Sequence, residues 1–434
     1  MKIKMDKLYG LPLFPIPTQF GTEEDIQVRL TAEVLFKDFY CDEYGNPMVY
    51  ERGCAQIDKI GGFSNLSRIK LESDYLKAIT NKEATSLYGN KLPSDVEDRL
   101  KYELYIIKMR GLSNYFLLVQ DFINSVYKEF GAIVVPAWGK ESGSLVAYCL
   151  GITKVDPLKY DLFFENFIRI TNDSFPLIHF LINGEAFKQA KDWLINKYGE
   201  SFWQRIVLLP SETLSNIKAI IRAIKNSKDI DVKWDKIPLD DKKTLDSFKD
   251  GRYESLWSYG YKPVKFYSPK FIPSSFEDLT ILSAFIQAGL TFKREVYLNR
   301  KNGEEEIRYD IPDMDKYTKE TYGLLVFEEQ LVILLRLLAG FSREDSYKFI
   351  SSLRLENETE LSIIGESFIR GGIEYGHPQE ILQKLWSEWH RCGSAIKSKS
   401  SVVNEVWLSY LLAFYKANYP KEFESVMANK RNNF

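Results

Sequence analysis

The sequence predicts an α/β domain followed by a mostly helical region, and three observations predict it. A β-branched run from Ala132 to Val135 enters a turn holding Pro136, Gly139 and Gly143, and an apolar helix from Leu145 to Leu150 follows. Upstream, residues 76–130 carry apolar positions at helical spacing. Downstream, helical patterning is strong from Tyr317 onward.

Composition narrows the class. A chain of 434 residues is long enough for two or three domains with real cores, and 45% hydrophobic with 14% aromatic residues describes an ordered protein. Lys+Arg number 58 against 60 Asp+Glu, a net charge of −2 that neither supports nor excludes a local basic groove. Cys41, Cys54, Cys149 and Cys392 are scattered without metal spacing, as expected of reduced thiols in a cytoplasmic protein. The start, MKIKMDKLYGLPLF, lacks the apolar core of a signal peptide, and no run approaches membrane-spanning length. A soluble cytoplasmic protein with no membrane partner is expected.

The elements follow in order. Residues 1–75 open with LYGLPLFPIPTQF and an acidic cap before a helix, and Tyr40 to Leu66 gathers turn formers into an irregular insertion. Leu92 to Arg110 has Ser94 as its cap, with Glu97 at capping-box spacing, and Val96, Leu100, Leu104 and Ile107 on one face. Gly111 stops it and Asn114 starts the next helix, where Tyr115, Phe116, Phe122 and Ile123 read as core. Ser142 or Ser144 caps the helix from Leu145. Free amides around Gly139, Lys140, Gly143 and Ser144 can hold an anion, or the turn is only structural. A helix from Glu185 to Tyr198 ends at Gly199.

The stretch SGSLVAYCLGITKVDPLKYDLFFENF resembles the palm of the bacterial replicative DNA polymerase III alpha subunit, family C. That likeness implies a palm of the polymerase beta-like nucleotidyltransferase type followed by helical fingers. In the family a G-P-G-R-G-S-A-A-G-S turn cradles the triphosphate of the incoming nucleotide. The matching residues here run from Val135 to Ser144, with Trp138 for the arginine, Lys140 for the first serine, and Glu141 where phosphate would sit. The family's P-D-x-D-x-D-F carries two metal-holding aspartates, matched here by Leu177 and His179. Two-metal phosphoryl transfer needs hard oxygen ligands, which leucine lacks and imidazole replaces poorly.

The resemblance also implies an organisation. Residues 1–75 form an arm after the position of a missing N-terminal phosphoesterase domain, 76–230 a palm-like domain and 231–434 a fingers-like domain. The thumb and the K-x-D-x-L-G strand bearing the third carboxylate are expected to be deleted near Lys228; Asp229 and Asp231 at that join read as a linker pair. Firm anchors in the fingers are IPLDDKKTLDSF, RKNGEEEIRYDIPDM, KETYGLLVFEEQ, LAGFS and YKANYPKEF. Three nucleotide-facing segments have changed: Gln287 to Leu290 for R-P-G-P, Phe349 to Glu356 for a basic segment, and Lys397 to Val402 for F-N-K-S-H-S. The family's modules for clamp and single-strand binding are expected to be missing.

No catalytic residue, metal or cofactor is therefore expected. Leu177 and Leu181 should cover the sheet, and His179 should face solvent or accept a hydrogen bond. Gly139, Lys140, Gly143 and Ser144 remain candidates for phosphate, and Lys397 and Lys399 for a nucleic-acid backbone. The function expected is an inactive polymerase-like protein that engages a replication or repair protein and binds DNA weakly. Two alternatives stand beside it: a nucleotidyltransferase with relocated carboxylates, and a mobile-element scaffold that interferes with the host replisome.

Overall fold

The computed structural model describes residues 4–23, 63–169, 174–248, 257–258, 262–263, 273–285 and 290–431. The chain forms two compact units, Met1–Ala219 and Ile220–Phe434. Most of the insertion expected at Tyr40 to Leu66, and Gln287 to Gly289 of the loop matched to R-P-G-P, lie outside the described residues.

The first unit is built on a three-stranded sheet in the order β1-β2-β3. Strand β1 (Val134–Pro136) runs antiparallel to β2 (Ile178–Asn183), which runs parallel to β3 (Ile206–Ser211). In β2 only His179 is less than fully buried, so the strand reads as a continuous apolar run covered on both faces. Helix α1 (Phe63–Tyr88), α2 (Ser94–Met109) and α3 (Ser113–Phe130) precede the sheet. Tyr115, Phe116 and Phe122 of α3 are fully buried in the core they share with Phe180, Ala190 and Phe202. Gly131 closes α3 with φ 55, a left-handed turn that a side chain would strain.

Several starts differ from expectation. Helix α1 begins at Phe63, so Leu66 belongs to a helix and not to the insertion. Pro93 takes the N-cap of α2 and no side chain caps it, because Ser94 is already its first helical residue; Asp95 and Glu97 still favour its positive end. Asn114 lies inside α3 and pins the N-terminal arm instead, accepting from Phe14 N (2.9 Å) and donating to Pro12 O (3.0 Å). The LPLFPIP phrase is thus held onto the core of the first unit through a side-chain amide that mimics a strand partner.

Helix α4 (Leu145–Cys149) follows the turn, and α5 (Gly184–Tyr198) joins β2 to β3 as the crossover that parallel strands require. Gly199 ends α5 with φ 83. Helix α6 (Glu212–Lys228) crosses the boundary between the units.

In the second unit, helices dominate. They include α7 (Phe276–Phe285), α8 (Thr291–Lys301), α9 (Glu328–Ala339), α10 (Arg343–Leu355), α11 (Glu358–Glu374), α12 (Gln379–Cys392), α13 (Lys399–Asn418) and α14 (Pro420–Arg431). The KETYGLLVFEEQ phrase works as a local clasp. Gln330 accepts from Val326 N (2.8 Å) and Phe327 N (3.0 Å), and donates to Thr321 Oγ1 (2.8 Å). Buried amides left by the extended segment are satisfied in this way.

Candidate functional site

The turn between β1 and α4 is the candidate site. Gly139 sits at φ 75, and Lys140–Gly143 form one 3-10 turn before Ser144 caps α4, its Oγ accepting from Ala147 N at 3.1 Å. Gly143 is required by close approach: a Cβ there would lie 2.2 Å from the carbonyl oxygen of Phe163.

The amides at the α4 N-terminus are held from inside the protein. The carboxylate of Glu103, fully buried, accepts from Ser144 Oγ (2.7 Å), Leu145 N (2.9 Å) and Val146 N (3.0 Å). Arg99 donates to the same carboxylate through Nε (2.6 Å), and through Nη2 to Gly143 O (2.6 Å) and Leu162 O (2.9 Å). Of the four phosphate candidates, Ser144 and Gly143 are therefore parts of an internal Arg–Glu cap. Lys140 alone is exposed, beside a buried Gly139.

Glu141 and Ser142 turn inward. Glu141 is 2% exposed, with Oε1 lacking a partner, and burial pushes its carboxyl up to about 7, against the pull of Lys140. Ser142 Oγ is likewise buried without a hydrogen bond.

At the start of β2, Leu177 is 42% exposed, so it does not cover the sheet as expected. It precedes the first paired residue, Ile178, and its side chain falls outside the ladder; Leu181, inside it, is buried. His179 is half-buried, and desolvation followed by the nearby Lys140 holds its imidazole below the ordinary histidine range. Its ring meets Trp138 edge to face at 5.8 Å. Among the described residues no group of three His, Cys, Asp or Glu converges as metal ligands do. Asp229 and Asp231 pair with Lys225 (2.5 Å) and Lys233 (2.7 Å) on the surface.

The second unit turns its candidate lysines inward. Lys399 is 7% exposed; its ammonium lies 2.6 Å from Glu320, and its backbone N–H donates to Glu329. Lys397 is half-buried, and burial lowers its pKa against the attraction of Glu405. Ser398 caps α13, Ser401 N donating to its hydroxyl. In the segment matched to the family's basic run, Ile350 is buried, Ser352 bonds Glu360 (2.6 Å), and Arg354 forks onto Glu328 (2.5 and 2.6 Å). Leu290, the described member of the R-P-G-P match, is fully buried.

Sequence reasoning missed Arg99 and Glu103. Their i, i+4 spacing reads as an ordinary surface pair, and the only signal of another role was their place in RLKYEL, a run that resembles the family's ERLKYEL.

Comparison with known proteins bears on both units. The family model "Bacterial DNA polymerase III alpha NTPase domain" matches residues 74–254, and "Bacterial DNA polymerase III alpha subunit finger domain" matches residues 213–376. DNA polymerase III subunit alpha of Aquifex aeolicus is 24% identical, over 84% of this chain and 44% of that protein. Those of Borreliella burgdorferi and Halalkalibacterium halodurans are 23% and 22% identical, over 83% and 82% of this chain and 42% and 43% of theirs. The chain thus spans less than half the length of these relatives. No helix among the described residues is long and apolar enough to cross a membrane. With two successive alpha-subunit models matching residues 74–376, this chain belongs to the bacterial DNA polymerase III alpha subunit family.

Proposed function

We propose that the chain is a non-catalytic DNA polymerase III alpha-like protein, with a palm-like first unit and a fingers-like second unit, acting as a binding module in replication or repair. One observation carries this reading. Trp138 and His179, matched by resemblance to a nucleotide-binding arginine and a metal-holding aspartate, now meet as an aromatic pair at 5.8 Å. Neither ring supplies the cation or the carboxylate that the reaction requires at those positions. Leu177, at the other aspartate position, offers no oxygen ligand.

The lost thumb has support of its own. The match to the Aquifex aeolicus protein extends over 518 residues while using 84% of this 434-residue chain, so the relative carries well over a hundred positions without a counterpart here. Lys399 and Arg354, which lie in segments matched to nucleotide-facing positions, are engaged by Glu320 and Glu328, and duplex affinity rises with the number of phosphates neutralised. A protein partner in replication or repair follows as the main ligand.

Primer extension by the purified chain, with Mg²⁺ or Mn²⁺ and all four dNTPs, tests the catalytic half of this proposal. No incorporation is expected, and metal-dependent extension would refute it. For the binding half, sub-micromolar affinity for primer–template at near-physiological salt, with a steep salt slope, would make the chain a duplex-binding module instead.

A further inference from the structure

The first unit has a second charged feature away from the turn. Helices α1 and α2 are joined by a short turn over residues 89–93 and pack as a hairpin, and a groove of about 780 Å³ runs along them. Five lysines line it: Lys70, Lys77, Lys91, Lys101 and Lys108. Only Asp74 and Glu97 oppose them on its walls, which leaves an excess of three positive charges in a protein whose net charge is −2.

The lysines are spread along the groove. Lys70 and Lys77 on α1 are seven residues apart, as are Lys101 and Lys108 on α2, so each pair spans about 10 Å of helix. Lys91 stands at the turn end. Lys70 pairs with Asp74 (3.2 Å), and Lys101 with Glu97 (3.6 Å) and Asp98 (3.5 Å). Lys77 and Lys91 are exposed and have no ion pair or hydrogen bond among the described residues. Asn81, Asn90 and the ring of Tyr105 complete a lining able to bond phosphate oxygens and to stack a base.

We propose that the α1–α2 groove binds the phosphate backbone of a single-stranded nucleic acid. Charge spread over some 10 Å on both walls suits a polyanion better than one phosphate group. Asn side chains and a ring able to stack on an unpaired base favour a single strand over a duplex, whose bases are already stacked and paired. An acidic amphipathic helix would find apolar contact at Leu92, Leu104 and Tyr105, but it carries its charge on one face, whereas the lysines stand on both walls. The site stands apart from the palm-like turn and does not depend on that turn being inactive.

The test is fluorescence anisotropy of a labelled dT20 with the full chain, titrated from 50 to 200 mM salt. Binding that weakens with salt is expected. Lys77→Gln/Lys91→Gln should flatten the log–log salt slope by about 1.4, the share of two lost phosphate contacts on a single strand. Lys77→Glu/Lys91→Glu should weaken binding at 50 mM salt at least tenfold, while Lys188→Glu/Lys236→Glu, equally exposed elsewhere, should change it less than twofold. No binding of dT20 at 50 mM salt overturns the proposal, as does equal binding by the two charge-reversed variants. Poly-glutamate competing as well as unlabelled dT20 overturns it in favour of an acidic protein segment. Should a groove variant fail to fold, lysine acetylation of the wild-type chain tests the same groove: dT20 must protect Lys77 and Lys91 more than Lys188 and Lys236, and equal protection overturns the proposal.

Discussion

Glu103→Ala removes the carboxylate that holds the α4 N-terminus. It leaves Leu145 N, Val146 N and Ser144 Oγ without their acceptor and the Arg99 guanidinium without its counter-charge. Breaking a buried pair costs about 3–5 kcal/mol, and each buried donor left unsatisfied costs roughly 1–3 kcal/mol. These effects overlap, because Arg99 keeps Gly143 O and Leu162 O and water can enter the space vacated. A net loss of about 4–6 kcal/mol is expected, close to the whole stability of a marginal domain. Urea unfolding of the full chain followed by circular dichroism measures it, with Glu103→Gln as the shape-conserving control that should lose less. Formate, an anion small enough for the vacated space, should raise the stability of Glu103→Ala and leave the wild type unchanged. A loss under about 1 kcal/mol, or no differential effect of formate, would show that the cap does not hold the turn.

Three further outcomes follow from the site. Burial raises the folded-state pKa of Glu141 from 4.5 to about 7, so the folded chain keeps a proton that the unfolded chain has lost. Stability therefore falls as pH rises from about 4.5 to 7, by roughly 3 kcal/mol from this group, and Glu141→Gln should remove that share of the slope in unfolding titrations; Glu72, Glu329 and Glu405, raised to about 7 as well, retain theirs. Leu177→Asp/His179→Asp should give no primer extension and lower stability by only about 1 kcal/mol, since Leu177 is 42% exposed; a thermal scan showing no loss would contradict the packing given to the Trp138–His179 pair. Lys399→Ala should destabilise the second unit by about 1 kcal/mol, Glu320 being well exposed, and should leave dT20 affinity unchanged; a fall in affinity would restore Lys399 as a nucleic-acid contact.

The strands and helices near the turn were legible because their signals are local. Apolar period marks α2, α3 and α5, Gly111 and Gly199 mark ends, and Ser144 caps the helix it precedes. What escaped depends on distance. Asn114 looks like a helix start, yet its partners lie a hundred residues away in the arm. Lys399 looks like a solvated helix-start lysine until Glu320 and Glu329 close on it from earlier elements. Leu177 looks like core from its apolar neighbours, but the sheet register begins one residue later. Charge sign can be read along a chain; whether a charge is spent can be read only across it.

The internal cap at α4 has an evolutionary consequence. A turn whose amides wait for a ligand is stable only while that ligand binds, so losing the chemistry would endanger the fold. Here Glu103 is tied to Arg99, Ser144, Leu145 and Val146, and none of these is among Trp138, Leu177 and His179, which the proposed reading takes as substituted. Changes at Trp138, Leu177 and His179 then leave the cap intact, although Trp138 and His179, being in contact, are coupled to each other. On the proposed reading, architecture and catalysis are separately heritable in this turn, which leaves a lineage free to discard one and keep the other.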